Sequence, residues 1–460
     1  MFKTVFLIAL MLVAVQLNAQ TTSAINRDTS LAEKIDTYLL SATKAHKFNG
    51  VALIEQNGKT ILHKAIGWKD FAAKTLNDTL TKFPILSITK SFTATVLLKL
   101  QEQGLLSIND PLGKYFPDYP EGGKITLEHL ITHSSGIYNY TDNIDEADSA
   151  VVCHPVSKAF VVEQFKNKPL AFKPGKGFSY NNSGYYLAGL VIEKVTGKPY
   201  EQNVRELIFE PLGMTNSGFD YLNLPTLDKA VGYQFLNDKV QKRYPFYDST
   251  VGYAAGSIYS TTGDMLKWAH AIAGGKILST NSWKEALTPK NNGYGYGFQM
   301  GSYQDRPFVR HGGGYPGFVS EYLYYPKEGL TILLLTNKGN YGEDLWPIAS
   351  DVSKLVFGLP YELWHALSSV TLTEDLLKEK EGSYTFRRKQ LRFFVKEGQL
   401  HLINTQGQEI PLFAVREDFF YTEVFYTEFQ FVKDNAGKVV RVITHERGVA
   451  EDYEWEKEHK

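Results

Sequence analysis

LSITKSFTATVLLKL, residues 86–100, sets a hydroxyl at Ser87 and an amine at Lys90 at the head of a mostly apolar run. The run reads as a helix beginning near Ser87 and ending around Gly104. Side chains three positions apart share one helix face, with Cβ atoms about 5–6 Å apart. A serine hydroxyl attacks poorly until a neighbouring base takes its proton. Lysine can be that base only where burial or nearby cations lower its pKa. Ile88, Phe92, Val96, Leu97 and Leu98 predict a mostly buried helix, which supplies the desolvation. The helix start adds unpaired N–H groups that point toward negative charge. Alone, Ser-x-x-Lys is a weak signal, because most copies are solvated helix surface or N-caps.

Two later stretches supply what the first lacks. In PGKGFSYNNSGYYLAG, Tyr180 and Asn182 place a phenol and an amide two positions apart before a helical run. A phenol beside an amine can accept the Ser87 proton and pass it to a leaving group. Asn182 can orient Lys90 and a substrate carbonyl. Singly, Tyr180 reads as loop packing and Asn182 as a turn or N-cap residue. In RHGGGYPGF, the glycines after His311 let backbone approach a ligand closely. An N–H near Gly313 or Gly314, with that of Ser87, can form an oxyanion hole. The competing reading is a glycine-rich turn with a satisfied histidine.

Around these motifs, FNGVALIEQNGKTILHKAIGW carries two apolar runs flanking Asn57-Gly58, a strong hairpin signal. Helical stretches and loops alternate from residue 105 to about 290. Strand signals return in YGYGFQM, PFVRHGG, FVSEYLYYP and LTILLLTN. Strands at both ends with helices between predict an α+β layout: one antiparallel sheet shared by distant segments, with a helical insert and a cleft at their boundary. From about residue 372, Leu400/Leu402, Phe429/Phe431 and Val440/Val442 keep period two, which predicts a small all-β sandwich or barrel.

The order Ser87-x-x-Lys90, Tyr180-x-Asn182, His311-x-Gly313 resembles the three motifs of the serine β-lactamase and penicillin-binding-protein superfamily. The likeness is greatest to the class C branch, with its D-alanyl-D-alanine carboxypeptidases, D-aminopeptidases and esterases. ITLEHLITHSSGI, FEPLGMTNSGF and AAGSIYSTTGDMLKWAHAI also look like family segments, and together they cover residues 45 to 345. The resemblance implies a β-lactamase-like sheet flanked by helices, with a helical subdomain and acyl-enzyme chemistry. It makes Ser87 the nucleophile, Lys90 its activating partner, and Tyr180 the base in acylation and acid to the leaving group. Asn182 would hold Lys90 and the substrate amide, His311 and Gly313 would line the substrate strand, and Gly314 would offer the second oxyanion donor. The final β segment resembles the lipocalin-like modules that follow such hydrolase domains.

Two departures stand out. Asn181 fills the middle of the usual Tyr-Ser-Asn, and His-Gly-Gly replaces the usual Lys-Thr-Gly. Lysine offers a substrate carboxylate a permanent cation, whereas His311, with an ordinary pKa near ~6.5, is mostly neutral at pH 7. That shifts the expectation from β-lactams toward esters or D-amino-acid peptides.

Composition is ordinary for a soluble globular protein. The 460 residues are 43% hydrophobic and 22% charged, and 49 basic against 50 acidic residues leave a net charge of −1. This balance gives no footprint for nucleic acid. The start, MFKTVFLIALMLVAVQLNAQ, reads as a signal peptide over 1–19, with Lys3 before an apolar run and no cysteine behind it. Secreted or periplasmic placement follows, with no stable membrane span after removal of the signal. The expected division is a hydrolase domain over 20–358, a linker over 359–371 and the β domain over 372–460. Cys153 is the single cysteine, so no internal disulfide forms and a thiol nucleophile is disfavoured. His129 and His133 have metal-ligand spacing but lack the following Glu and a third ligand, so they read as a packing turn, and neither metal nor cofactor is expected. The expected substrate is a small ester, peptide or cell-wall-derived molecule. The alternative is a catalytically weak, penicillin-binding-like protein that only binds cell-wall peptides.

Overall fold

The computed structural model describes residues 30–142, 152–236, 241–339, 344–365, 367, 369–405, 407, 409–422, 427–447 and 452–458. The expected signal peptide lies outside them. No described helix is long and apolar enough to cross a membrane.

Asn57 (φ 51°) and Gly58 (φ 75°) both take the left-handed conformation that a two-residue hairpin turn demands. They join β1 (Gly50–Gln56) to β2 (Lys59–Ile66). The other strands come from more than 200 residues later: β3 (Gln299–Tyr303), β4 (Arg306–Tyr315), β5 (Phe318–Tyr325) and β6 (Leu330–Thr336). They complete one six-stranded sheet in the order β2-β1-β6-β5-β4-β3, and each pairing is antiparallel. Of the glycine-rich YGYGFQM, only Gln299 and Met300 enter a strand. Gly297 holds φ 79°, and a Cβ there would sit 2.7 Å from the Lys90 carbonyl oxygen. That stretch is shaped to lie against the backbone of Lys90 and Ser91 rather than to extend the strand.

Period two divides the sheet between two cores. Val51, Leu53, Tyr322, Leu333 and Leu335 face the helical insert. Ala52, Ile54, Leu323, Ile332 and Leu334 face α1 (Leu31–Lys44) and a helix near residue 350. Within the insert, a 3-10 turn over Leu86–Ile88 leads into α2 (Thr89–Glu102), so the helix proper starts two residues after the expected point. Phe92 stacks on Trp268 with ring centroids 4.2 Å apart, and Thr93 donates to the Ala254 carbonyl at 2.6 Å. Burying one such aromatic contributes about 1.5–3 kcal/mol and fixes the axis of α2. The helix α3 (Asn182–Thr196) is capped by the Asn181 side chain, which accepts from the Gly184 N–H. Next come α4 (Ser249–Gly256), α5 (Thr262–Ala273) and, behind the sheet, α6 (Trp346–Phe357).

The C-terminal segment resolves the choice between sandwich and barrel. Eight strands, β7 (Gly382–Phe386) to β14 (Tyr453–Lys457), pair in sequence order and close into a barrel through Tyr384 opposite Lys457. Inward residues such as Tyr384, Phe393, Leu400, Phe420 and Val442 fill it. The fold is α+β, as expected, with a closed all-β barrel after it.

Candidate active site

The turn that carries Ser87 is backbone-strained: Leu86, just before it, holds φ 53°, a left-handed value costly for a branched residue. The distortion turns Ser87 into a cleft of about 620 Å³ that is partly open to solvent. Tyr140, Thr141, Asn182, Tyr247, Ala255 and Gly314 share its walls. One helical turn on, the Lys90 amine donates to Ser87 Oγ at 3.0 Å and to the Ala255 carbonyl at 2.8 Å. Lys90 is fully buried, and desolvation lowers its pKa well below the ordinary lysine range. Its polar partners are a hydroxyl and a carbonyl, so neither repays the cost of a buried charge as a carboxylate would.

Tyr180 completes the group. Its phenol hydrogen-bonds with Ser87, and its ring centroid lies 4.9 Å from Lys90 Nζ. Burial raises the phenol's pKa, and the Ser87 bond offsets this only in part, so the resting group is a neutral phenol. A hydroxyl, an amine poised to be neutral and a protonated phenol therefore converge at Ser87. That arrangement can move a proton off Ser87 and deliver one to a departing atom.

Glycine at 313 is what brings β4 close. A Cβ there would lie 2.5 Å from the Ile85 carbonyl oxygen and 2.8 Å from Leu86 Cβ. Gly314 follows and lines the cleft with Ser87. Pairing with β3 stops at Arg310, so no strand among the described residues crosses the other edge of Gly312–Tyr315. Ser87 N–H likewise has no backbone acceptor among the described residues. Ser87 and Gly314 thus border one cleft.

His311 is buried and does not line the cleft. Its Nδ1–H donates to the Gly312 carbonyl at 2.6 Å, and its Nε2 accepts from the Tyr294 hydroxyl at 2.8 Å. Burial first, and then the Lys90 charge, push its pKa down to about 3. The neutrality inferred from an ordinary imidazole is thus enforced by the site. Asn182 lines the cleft, but its Nδ2 donates to Thr141 Oγ1 at 3.2 Å, and Lys90 is held by Ala255 instead. The Ala255 carbonyl and the Tyr140–Thr141 wall are absent from the three motifs. Their only sequence trace is that Ala255 falls in a stretch with family likeness.

The remaining candidates separate cleanly. His129 accepts the Thr126 N–H as part of a helix cap, and His133 accepts the Asn181 N–H at 3.0 Å. Among the described residues no group of three or more His, Cys, Asp or Glu side chains is placed to hold a metal. Cys153 is half-buried, and desolvation raises its thiol pKa.

The Beta-lactamase family profile matches residues 35–349. The teichoic acid D-alanine hydrolase of Staphylococcus aureus is 31% identical over 339 residues, 70% of this chain and 78% of that protein. The octameric penicillin-binding protein homologue of Pyrococcus abyssi superposes with a TM-score of 0.63 at 27% identity, over 89% of this chain and 97% of that one. The penicillin binding protein of Bacillus halodurans gives 0.61 at 28% identity, over 70% and 98%. With its matched profile spanning the sheet and insert that build the Ser87 cleft, the chain belongs to the Beta-lactamase family and is a serine hydrolase of the penicillin-binding-protein and β-lactamase type.

Proposed function

We propose that the protein is an exported hydrolase that forms an acyl-enzyme at Ser87 and cleaves esters or D-amino-acid amides and peptides rather than β-lactams. Its hydrolase unit spans 20–358 and its β unit 372–460. The observation that carries the reading is the buried Lys90 amine 3.0 Å from Ser87 Oγ. In the proposed sequence neutral Lys90, rather than Tyr180, whose raised pKa leaves it a protonated phenol unable to accept, takes the Ser87 proton as Oγ attacks the carbonyl carbon. The oxyanion accepts the N–H groups of Ser87 and Gly314. Tyr180 then gives its proton to the leaving oxygen or nitrogen and is reprotonated from Lys90. Water enters by the reverse relay, adds to the acyl carbon and frees Ser87. Asn182 binds the acyl side of the substrate, and His311 and Gly313 shape the strand that it lies along.

Substrate preference rests on charge. His311 is a neutral imidazole where lysine usually stands, so the third motif offers no cation to the carboxylate of a β-lactam or a D-Ala-D-Ala terminus. A relative that hydrolyses teichoic acid D-alanine supports a D-alanyl substrate. The binding-only alternative is disfavoured by the intact contact of Ser87 with both Lys90 and Tyr180.

Intact-mass labelling with a fluorophosphonate, together with turnover of p-nitrophenyl esters, D-amino-acid p-nitroanilides and a chromogenic cephalosporin, tests the reading. Labelling at Ser87 is expected, with esters or D-amino-acid amides turned over faster than the cephalosporin and Ser87→Ala inert though folded. Turnover retained in Ser87→Ala rules out the mechanism, and a preference for the cephalosporin rules out the substrate class.

A further inference from the structure

We propose that His133 is a positioning residue for Tyr180, gripping the backbone on both sides of that phenol so that it stays at Ser87. The histidine is 1% exposed and belongs to neither the Ser87–Lys90 turn nor the cleft wall. Its carbonyl oxygen accepts the Ser179 N–H at 3.0 Å, and its Nδ1 accepts the Asn181 N–H at 3.0 Å. The residues on either side of Tyr180 are therefore tied to one and the same side chain and peptide. Its ring also lies against that of Tyr180, with centroids 4.3 Å apart.

The arrangement is costly, which argues against plain packing. Because Nδ1 accepts, the proton of the neutral ring sits on Nε2, and Nε2 is buried with no hydrogen-bond partner. An unsatisfied buried donor costs about 1–3 kcal/mol. His133 also holds φ 58°, in the left-handed region. An apolar side chain would fill the same volume without the orphaned N–H. What it would lose is the acceptor facing Asn181. Burial lowers the pKa of His133, so that acceptor is not protonated near neutral pH.

The consequence is for turnover more than for binding. A catalytic group misplaced by about 1 Å can lose about 100-fold in rate. The inference rests on Tyr180 being the proton carrier, which Tyr180→Phe tests by itself. His133→Asn keeps an acceptor at the δ position and tolerates left-handed backbone. His133→Gln moves the acceptor one bond outward. With p-nitrophenyl butyrate as substrate, kcat of His133→Gln is expected to fall about 100-fold with KM nearly unchanged. His133→Asn should stay within about fivefold of the parent protein. In a Tyr180→Phe background His133→Gln should add less than about a twofold loss, because the group it positions is already gone.

Equal losses for the Asn and Gln variants would overturn the proposal, as would an undiminished effect of His133→Gln in the Tyr180→Phe background. Full activity in Tyr180→Phe alone would instead remove the reading of Tyr180, and this inference with it.

Discussion

An amine sealed from water, with only a hydroxyl and a carbonyl as partners, is shifted toward its neutral form, a form open to lysine but not to arginine. Lys90→Arg keeps a cation near Ser87 but cannot release its proton at any working pH. The expected outcome is a loss of about 10³-fold in kcat/KM for an activated ester, within the range of general-base catalysis. Activity above a tenth of the parent value would mean that charge, not proton transfer, is what Lys90 supplies. Burial acts on His311 in the same sense, with a consequence for stability. Its folded pKa of about 3 lies below its ordinary value of 6.5, so the unfolded chain takes up the proton first. Stability from this group is full above pH 6.5 and drains away as pH falls toward 3. Between roughly pH 7.5 and pH 5 it amounts to about 2 kcal/mol. His311→Asn should remove that share of the acid sensitivity in denaturant melts at the two pH values, and an unchanged difference would refute the assignment. His133 leans the same way, so part of the slope remains. Ser87, Lys90 and Tyr180 were legible because each sits at a fixed offset inside a local motif. The Thr141 partner of Asn182 and the Ala255 partner of Lys90 were not, because separate loops deliver them and no spacing records it.

At the level of elements, the site depends on how near β4 can come to the turn at Leu86. Gly313→Ala tests that approach. Its Cβ would meet Ile85, Ser320 and Leu86 atoms at 2.5–2.8 Å, and two of the three contacts are to backbone or near-backbone atoms that cannot swing aside. Overpacking of this kind costs about 1–3 kcal/mol. The strand should also shift off Ser87, slowing fluorophosphonate labelling by at least about tenfold. A thermal melt and a labelling time course read both effects, and normal labelling would show that the strand can retreat without harm. The hairpin at Asn57-Gly58 was readable because its signal and its partner lie within a few residues. The glycines at 295 and 297 were misread as strand for the opposite reason. What fixes them is contact with Ala286 and with the backbone of Lys90, a long-range approach that leaves no period in the sequence.

Across the whole molecule, the sheet separates chemistry from attachment. Ser87, Lys90 and Tyr180 lie on the side of the helical insert, whereas the barrel docks against α1 and α6 on the other side. No barrel residue lines the Ser87 cleft among the described residues. The dock centres on Asp351, whose side chain is 3% exposed. Arg447 from the barrel donates to it at 2.9 Å, Tyr38 of α1 donates at 2.9 Å, and Lys354 at 2.7 Å. The Arg447 guanidinium also lies 3.8 Å from the centroid of Trp364, whose indole N–H donates to Tyr38. Alternating residues announced an all-β unit, but nothing local told which face of the sheet would receive it, since the dock joins residues 96 to 326 positions apart. Arg447→Met should loosen this joint. The cost stays below the roughly 3–5 kcal/mol of a fully orphaned buried charge, because Lys354 and Tyr38 still serve Asp351. In calorimetry the barrel should then melt as a separate, earlier transition, while labelling of Ser87 stays within about twofold of the parent rate. A fall in labelling that parallels the lost transition would mean that the barrel reaches through the sheet to shape the cleft, and the two functions would have to be treated as one.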